Sequence, residues 1–486
     1  MLLGGLDVGT SGCKLSVYRD DGSFIENFYR EYDVSRCNGA HEIDASMIWD
    51  AVFALFQSAG IHDLAAVGVT SFGESFVLLD ENDDVLLPSM LYTDPRGADE
   101  CAELCGVLGE DTLTRISGVK PHSMYSLPKL MWVRRHHPEI WSRVRRILLM
   151  EDFIVYKLTG AAQIDYSLAA RTMALDIRDK CWSAKILSAA GIDASLLSKP
   201  VPSGTAAGRV KPSLGLGDFI VANGAHDQTA AAVGAGILSP GLAVDGTGTV
   251  ECVTPMFDHV PEHPSLYAEG YSVVPYVFDG TYVCYALSFT GGAALKWYRD
   301  NLAGRYAGEG NIYAALDREV PDAPTGLLVL PHFAGAANPY MDNGSKAAIL
   351  GLTLEHTSAD IYKALMEGVT YEIMLNLEHL ASFGILPEKL YATGGGARSA
   401  VWLQIKADIL NRPITALDAM EAGTCGTCML VGTGIGRYPD LHAAKECFIR
   451  EGRTFYPDPA RAAIYQNYYQ AYRKVYDAVR PIIKEV

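Results

Sequence analysis

Two turns of the chain carry residue types that hold phosphate groups in proteins. In the first turn Asp7 precedes Gly9, Thr10 and Ser11, and in the second, at residues 246–249, Gly and Thr alternate. Apolar runs flank both turns, so each predicts a β-hairpin whose tip offers hydroxyls and backbone N–H groups. The turns lie about half a chain apart. They therefore predict a duplicated fold that holds one nucleotide from both sides.

Asp7 and Lys14 extend the chemistry of the first turn. A carboxylate at the end of a strand can hold Mg²⁺ through water while nearby N–H groups meet phosphate oxygens. The ammonium group of Lys14, just beyond the turn, can neutralise a phosphoryl group in transfer. An ordinary hairpin with common turn residues is the alternative. The second turn, at residues 246–249, favours phosphate binding over that alternative.

A third turn places a carboxylate where a base is useful. Asp227 stands between His226 and Gln228, after an apolar run and at the start of an Ala-rich helical pattern. In that position it can take a proton from a hydroxyl nucleophile, and the helix N-terminus keeps it ionised. Capping of the helix by the same carboxylate fits the local pattern equally well.

A fourth turn, at residues 394–396, consists of three consecutive glycines between a predicted strand and a predicted helix. Without Cβ atoms the backbone is open to a bulky ligand, and a helix N-terminus favours an anion. A tight strand-to-helix turn is the alternative, but it rarely needs three glycines. The pattern differs from a dinucleotide-binding GxGxxG turn. We therefore expect contact with a nucleotide.

The composition limits the class of protein. The chain has 486 residues, 49% apolar and 20% charged, which predicts two packed globular domains. The formal charge of −17 argues against nucleic acid as a partner. Asp7 interrupts the first apolar run, and no run approaches the roughly 18 apolar residues of a membrane helix. These features predict neither a signal peptide nor a membrane partner.

The ten cysteines are scattered, which is typical of reduced thiols in the cytoplasm. Cys425 and Cys428 have the spacing of a redox or zinc site. They lie in a run of small residues, however, which favours a closely packed helix.

The elements that must position these turns divide at the Ser-Pro-Gly sequence of residues 239–241. In a first domain, residues 1–240, we predict strands near 2–8, 13–19, 23–30, 65–70, 76–79 and 218–222 and helices over 45–59, 229–236 and most of 99–197. In a second, residues 241–486, we predict hairpins at 242–254 and 270–288, strands at 325–330 and 389–392, and helices from 292 and over 358–380, 400–411 and 461–480. No low-complexity linker separates them, so the halves are expected to pack around a cleft.

Several stretches, taken together, are similar to a single family. Residues 347–352 and, after seven further residues, 360–367 fit its C-terminal signature. Weaker similarities follow the family's order along nearly the whole chain, at residues 153–160, 165–167, 292, 296–297 and 394–399. On these residues the chain resembles the FGGY carbohydrate kinases, the sugar and polyol kinases of the actin-like ATPase superfamily.

The resemblance implies an α/β fold of two duplicated actin-like, ribonuclease-H-like domains around a central cleft. The first domain would bind the sugar and the second would bind ATP. Asp227 would be the general base, and Asp7 and Asp227 would hold Mg²⁺. The residues expected around the nucleotide and its phosphates are Thr10, Ser11, Lys14, Gly246, Thr247, Gly248, Gly292, Lys296, Gly395, Gly396, Ala397 and Ser399.

The expected reaction is transfer of the γ-phosphate of ATP to a hydroxyl of a small sugar or polyol. Overall similarity to the xylulose-kinase branch favours a ketopentose. The residues expected at the substrate are Phe72, Glu74, Tyr92, Asp94 and Gln228, where the sequence departs from the family's pattern. Glycerol, another polyol or a deoxy sugar is the alternative substrate. A non-catalytic sugar-binding regulatory protein is a further alternative. A second copy of the chain, in a homodimer, is the only protein partner considered.

Overall fold

The computed structural model describes residues 1–60, 63–306, 308–418 and 421–485. The strands of the first half are β1 (Leu2–Val8), β2 (Gly12–Arg19), β3 (Phe24–Glu31), β4 (Ser35–Cys37), β5 (Ala40–Ile43), β6 (Leu64–Ser71), β7 (Phe76–Leu79), β8 (Ser89–Met90), β9 (Arg146–Leu149), β10 (Gln163–Asp165), β11 (Leu175–Asp176), β12 (Cys181–Trp182), β13 (Lys199–Val201), β14 (Ala206–Arg209) and β15 (Ile220–His226). Its helices are α1 (Ala45–Ala59), α2 (Ala98–Leu108), α3 (Glu110–Ser117), α4 (Ser126–His136), α5 (Pro138–Trp141), α6 (Met150–Thr159), α7 (Tyr166–Ala170), α8 (Ala184–Ala190) and α9 (Asp227–Gly234).

The strands of the second half are β16 (Leu242–Thr247), β17 (Glu251–Phe257), β18 (Val274–Pro275), β19 (Tyr282–Val283), β20 (Ala286–Ser288), β21 (Leu328–Leu330), β22 (Ala348–Leu350), β23 (Lys389–Gly394), β24 (Ile414–Leu417) and β25 (Glu451–Phe455). Its helices are α10 (Pro264–Ala268), α11 (Gly292–Leu302), α12 (Ile312–Asp317), α13 (Ser358–Ser382), α14 (Ala400–Leu410), α15 (Ala422–Gly434), α16 (Leu441–Phe448), α17 (Pro459–Tyr472) and α18 (Val475–Ile483). No helix within the described ranges is long and apolar enough to span a membrane.

The two large sheets repeat one plan. The first has the order β14-β15-β6-β1-β2-β3, and the second runs β18-β19-β17-β16-β23-β24-β25 with β20 beside β17. In each sheet an antiparallel hairpin, β1–β2 or β16–β17, is joined to a later parallel strand, β6 or β23. This repetition confirms the predicted duplicated α/β fold.

Of three sequence predictions about elements, one is confirmed in the main and two were wrong. The helical pattern predicted to dominate residues 99–197 is confirmed by α2–α8, although β9 pairs with β7 and several short strands interrupt the helices. The strand predicted at 218–222 runs over Ile220–His226, because Asn223 and His226 pair with β6 on either side of a bulge, despite the turn-like composition of this segment. The predicted helix at 461–480 is two helices, since α17 packs on α13 while Tyr476 of α18 donates a 2.7 Å hydrogen bond to Asp342.

Helix α15 belongs to the second half but packs on α9, β1 and β6 of the first. Small residues make this close approach feasible. A Cβ atom on Gly426 would lie 2.0 Å from the carbonyl oxygen of Ala230, and one on Gly234 would lie 1.8 Å from that of Ala422. Cys425 and Cys428 are buried in the same helix, which confirms that this run serves helix packing.

We expect Gly426→Ala to destabilise the protein by about 3 kcal/mol or more, because neither backbone can move away without disturbing both halves. Urea denaturation at equilibrium measures the change. Gly106→Ala in α2 is the matched control, since no atom lies within 4 Å of its added Cβ. It should raise the free energy of unfolding by about 0.5–1 kcal/mol. Equal effects of the two substitutions would contradict the close helix crossing.

Candidate active site

The candidate catalytic carboxylates emerge at one edge of the first sheet. Strands β1, β6 and β15 are adjacent and parallel, so their carboxyl ends meet at the same edge. Asp7 is the penultimate residue of β1, and Asp227 follows the last residue of β15. The loop after β6, residues 72–75, leaves the sheet between them. The topology therefore brings together three segments that the sequence singled out separately.

The electrostatics of this edge are unusual for carboxylates. Burial and, next, the charge of Asp227 raise the pKa of Asp7 to about 7, although Lys14 opposes this shift. Burial also raises the pKa of Asp227 to about 6, against the Gln228 N–H and the charge of Arg171. Because the charge of Asp227 makes Asp7 harder to ionise, a cation beside the two carboxylates would stabilise their charged forms.

The donor set fits Mg²⁺ better than a metal held by protein ligands alone. In the part of the chain that the structure describes, no group of three or more His, Cys, Asp or Glu side chains is placed to hold a metal. Mg²⁺ commonly uses only one or two carboxylates and completes its shell with water and substrate phosphates. Asp7 and Asp227 match that requirement.

The two carboxylate oxygens of Asp227 differ in their contacts with described protein groups. Oδ1 accepts a 2.6 Å hydrogen bond from the Gln228 N–H and lies 3.2 Å from Nε2 of His226. Among the described residues no donor contacts Oδ2. Burial and the nearby Arg171 lower the pKa of His226 to about 3, so its ring is neutral. His226, rather than Asp227, occupies the N-cap position of α9.

Sequence reasoning missed Arg171, which pairs with Glu74. The Arg171 Nε donates a 2.6 Å hydrogen bond to Glu74 Oε1, and both side chains are buried. The guanidinium lies 5.1 Å from the ring centre of Tyr125. Glu74 itself has a positive φ of 67°. A single charged residue in the apolar run 168–175 was the available signal, because a buried charge needs a partner.

The other predicted substrate residues differ in access. Phe72 is buried, and its N–H donates to the carbonyl of Val8. Tyr92 is 47% exposed, and Gln228 is exposed at the start of α9. Asp94 is buried, and its carboxylate accepts hydrogen bonds from the Arg96 side chain and the His41 N–H. Tyr92 and Gln228 are thus open to a ligand, whereas Asp94 and Glu74 are engaged by protein groups.

We expect Glu74→Gln to raise the KM for the sugar about 10-fold and to leave the KM for ATP within about twofold. The neutral amide compensates the buried Arg171 charge poorly, which loosens the loop at residues 72–75. Steady-state kinetics with each substrate varied in turn provides the measurement. Glu103→Gln, which removes the charge from an exposed ion pair with Arg135, should change neither KM. Equal increases in both KM values would contradict a role on the sugar side.

A cavity of about 260 Å³ lies in the second half. It brings together three separate glycine-containing turns: the tip of the β16–β17 hairpin, the start of α11 and the turn after β23. Its lining consists of Thr247, Gly248, Gly292, Leu295, Asn311, Tyr313, Ala314, Asp317, Tyr362, Gly395, Gly396, Arg398, Ser399 and Trp402. Six of these were predicted nucleotide contacts.

The glycines are what allow these turns to meet. A Cβ atom on Gly396 would lie 2.6 Å from that of Thr247, and one on Gly292 would lie 2.7 Å from the carbonyl oxygen of Gly248. The Thr247 hydroxyl accepts a 2.7 Å hydrogen bond from the buried ammonium of Lys406. That ammonium also pairs with Asp245 at 2.6 Å. The Thr247 side chain is therefore engaged by protein groups.

The remaining predicted nucleotide residues lie outside that lining. Thr10 and Ser11 form the tip of the β1–β2 hairpin, where Tyr32 donates a 2.6 Å hydrogen bond to the Gly9 carbonyl. Lys14 pairs with Glu421 of the second half at 2.8 Å. The other three are Gly246 within β16, Lys296 on the exposed side of α11 and Ala397 in a short 3-10 turn.

A fold that repeats one hairpin-and-crossover plan in two halves is that of the actin-like ATPases. The N-terminal domain model of the FGGY family of carbohydrate kinases matches residues 2–234, and the C-terminal domain model matches residues 246–434. The chain therefore belongs to the FGGY family of carbohydrate kinases, and it is an ATP-dependent carbohydrate kinase.

Individual relatives are similar along their full lengths. The xylulose kinase of Lactococcus lactis is 27% identical and aligns over 97% of this chain and 96% of its own. The solved xylulose kinase structure from Rhodospirillum rubrum has a TM-score of 0.89 at 27% identity, with 100% of both chains covered. The autoinducer-2 kinase of Enterobacter is 26% identical over 97% of this chain and 93% of its own. Relatives that differ by only one percentage point in identity to this chain thus carry different substrate names.

Proposed function

We propose that the protein transfers the γ-phosphate of ATP to a hydroxyl of a ketopentose, with Asp227 as the general base. The observation that carries this proposal is that Oδ2 of Asp227, at the sheet edge shared with Asp7, has no donor within the described part of the chain. A base must reach the proton that it removes, and an oxygen without a protein donor can accept one from a bound hydroxyl. The oxygen of the sugar hydroxyl then attacks the γ-phosphorus as the bond to ADP breaks, and the hydroxyl proton passes to Asp227.

In this proposal each half of the chain binds one of the two substrates. Residues 1–240 would bind the sugar, with Tyr92 and Gln228 as direct contacts and Phe72, Glu74 and Asp94 shaping the pocket. Residues 241–486 would bind ATP in the glycine-lined cavity. Asp7 and Asp227 would hold Mg²⁺, which neutralises phosphate charge when bound. Thr10, Ser11 and Lys14 would face the phosphates from the first half.

The choice of a ketopentose rests on the relatives named xylulose kinase, which align over the full length of this chain. Glycerol is the weaker alternative. Glu74, in the loop at residues 72–75, is buried and paired with Arg171. In this proposal the loop shapes the sugar pocket, and the Glu74 carboxylate does not bind the sugar directly. The ten unpaired cysteines, all within the described residues, support a cytoplasmic site of action. A homodimer remains part of the proposal.

A panel of ketopentoses, aldoses and polyols, each assayed for ADP release with ATP and Mg²⁺, tests the proposal. We expect the highest kcat/KM for a ketopentose, at least about 10-fold above glycerol, because a pocket that pairs with specific hydroxyls rejects ligands that lack them. A higher kcat/KM for glycerol or for an aldose would overturn the choice of substrate and leave the kinase assignment intact.

A further inference from the structure

Lys406 is a buried lysine that the proposed reaction does not use. It lies in α14, and three oxygens surround its ammonium nitrogen: Asp245 Oδ2 at 2.6 Å, Thr247 Oγ1 at 2.7 Å and Glu251 Oε1 at 2.8 Å. Lys406 and these three residues are each at most 1% exposed. One ammonium and two carboxyl groups are therefore enclosed together where α14 meets the β16–β17 hairpin.

Stability alone does not account for this cluster. Taking an ammonium and two carboxyl groups out of water costs free energy that their mutual attraction repays only in part. Apolar residues of similar volume often give an equally stable core, whereas a buried ion pair can fix one arrangement of its neighbours. A role for Lys406 therefore depends on which side chains it fixes.

Lys406 contacts two side chains that line the glycine-lined cavity. Its ammonium donates to the Thr247 hydroxyl and lies 4.9 Å from the ring centre of Trp402, and both residues belong to the cavity lining. The Thr247 hydroxyl in turn donates a 3.4 Å hydrogen bond to Asp245 Oδ1. Because the hydroxyl accepts from one neighbour and donates to the other, the Thr247 side chain is held in one rotamer.

The other neighbour of Thr247 is the glycine turn at residues 394–396. A Cβ atom on Gly396 would lie 2.6 Å from both Cβ and Cγ2 of Thr247. A Cβ atom on Gly394 would lie 2.5 Å from the Thr247 carbonyl oxygen. Two of the turns that line the cavity therefore meet at Thr247, the residue whose hydroxyl Lys406 holds.

We propose that Lys406 is a positioning residue for ATP, which holds Thr247 against the glycine turn and so sets the spacing of the two turns. The inference rests on the proposed binding of ATP in that cavity. A ligand that contacts both turns binds more tightly when they are already correctly spaced, because no free energy is spent on moving them. Loss of the ammonium or of the hydroxyl should therefore weaken nucleotide binding and leave sugar binding unchanged.

Thr247→Val is the first test, because it removes the hydroxyl, nearly keeps the volume and leaves the three charged side chains in place. We expect the Kd for ADP, measured by isothermal titration calorimetry, and the KM for ATP to rise about 10-fold. The KM for the sugar should stay within about twofold and kcat within about threefold. Thr247→Ser, which keeps the hydroxyl, should bind ADP within about threefold of the wild type. Unchanged ADP binding in Thr247→Val, or an equal loss in Thr247→Ser, would overturn the inference.

A double-mutant cycle shows whether Lys406 acts through Thr247. Lys406→Met should weaken ADP binding about 10-fold, and adding Thr247→Val should cost less than about twofold more. Losses that multiply would contradict the inference. Lys363→Met is the matched control, since Lys363 is also buried but donates to backbone carbonyls of residues 321–323 and does not line this cavity. It should lower the melting temperature and leave ADP binding unchanged.

Lys406→Met alone leaves two buried carboxyl groups without their cation, which can prevent folding. A triple variant, Asp245→Val, Glu251→Leu and Lys406→Met, avoids that cost. It should melt near the wild-type temperature and still bind ADP about 10-fold more weakly, and wild-type affinity would count against the inference. If neither variant folds, Thr247→Val decides the question.

Gly396→Ala separates the failure of this inference from the failure of the proposed nucleotide site. Its added Cβ would lie 2.6 Å from that of Thr247 and should push the two turns apart, so ADP binding should weaken at least about 10-fold. If Gly396→Ala weakens ADP binding while Thr247→Val and Lys406→Met do not, only the positioning role is wrong. If none of the three weakens it, ATP binds elsewhere and the proposed nucleotide site is wrong as well.

Discussion

Asp227→Asn is expected to lower kcat about 10³-fold, because an amide cannot accept the proton that the sugar hydroxyl loses. The side chain keeps its shape, and its Oδ1 can still accept the Gln228 N–H. Sugar and ATP should therefore bind with dissociation constants within about threefold of the wild type. Rapid-quench kinetics measures the transfer step, and isothermal titration calorimetry measures both affinities.

The matched control is Asp21→Asn, which changes an exposed carboxylate in the turn after β2. It should leave kcat and both affinities unchanged. A kcat for Asp227→Asn within about 10-fold of the wild type would remove Asp227 from its role as base. Loss of sugar binding together with kcat would instead indicate that Asp227 mainly holds the substrate.

Asp7→Asn is expected to lower kcat about 10²-fold and to raise the Mg²⁺ concentration for half-maximal rate about 10-fold. The two carboxylates at the sheet edge repel one another, and burial adds to the cost of their charges. Removing one charge eases that repulsion but leaves a weaker cation site. The variant should therefore bind the metal less tightly while folding at least as stably as the wild type.

Binding of Mn²⁺ to the protein–ADP complex, followed by electron paramagnetic resonance, measures the affinity without turnover. Asp7→Asn should weaken Mn²⁺ binding, and the exposed Asp21→Asn should not. Unchanged metal affinity together with a lowered kcat would place Asp7 in phosphate positioning rather than in the metal site.

The parts of the site that depend on local sequence could be predicted. Two hairpins, one with its turn after Asp7 and one with its turn after Thr247, have glycines in the turn and apolar runs on either side. These signals lie within a few residues of the turn that they predict. The glycine turn at residues 394–396 was recognisable because few ordinary turns need three glycines. The structure brings the turn after Thr247 and the glycine turn at residues 394–396 together in one cavity, as the duplicated plan requires.

The parts that depend on distant partners could not be predicted. Residues 223–226 have a turn-like composition, and only the pairing of Asn223 and His226 with β6 makes them the end of a strand. Glu74 reads as a free ligand group until Arg171, 97 residues away, is seen to engage it. The contact of Tyr285 with His226 has no local signature at all, because the two residues belong to different halves of the chain. In each of these cases the structure depends on a contact between residues that are distant in the sequence.

The central claim is that a sugar hydroxyl, activated by Asp227, receives the γ-phosphate of ATP. Phosphorus NMR of the purified protein with ATP, Mg²⁺ and a ketopentose tests it most directly. We predict that loss of the γ-phosphate signal is matched by one equivalent of sugar phosphate, with little inorganic phosphate, and that Asp227→Asn nearly abolishes the change. Release of inorganic phosphate at the same rate with and without sugar would contradict the account.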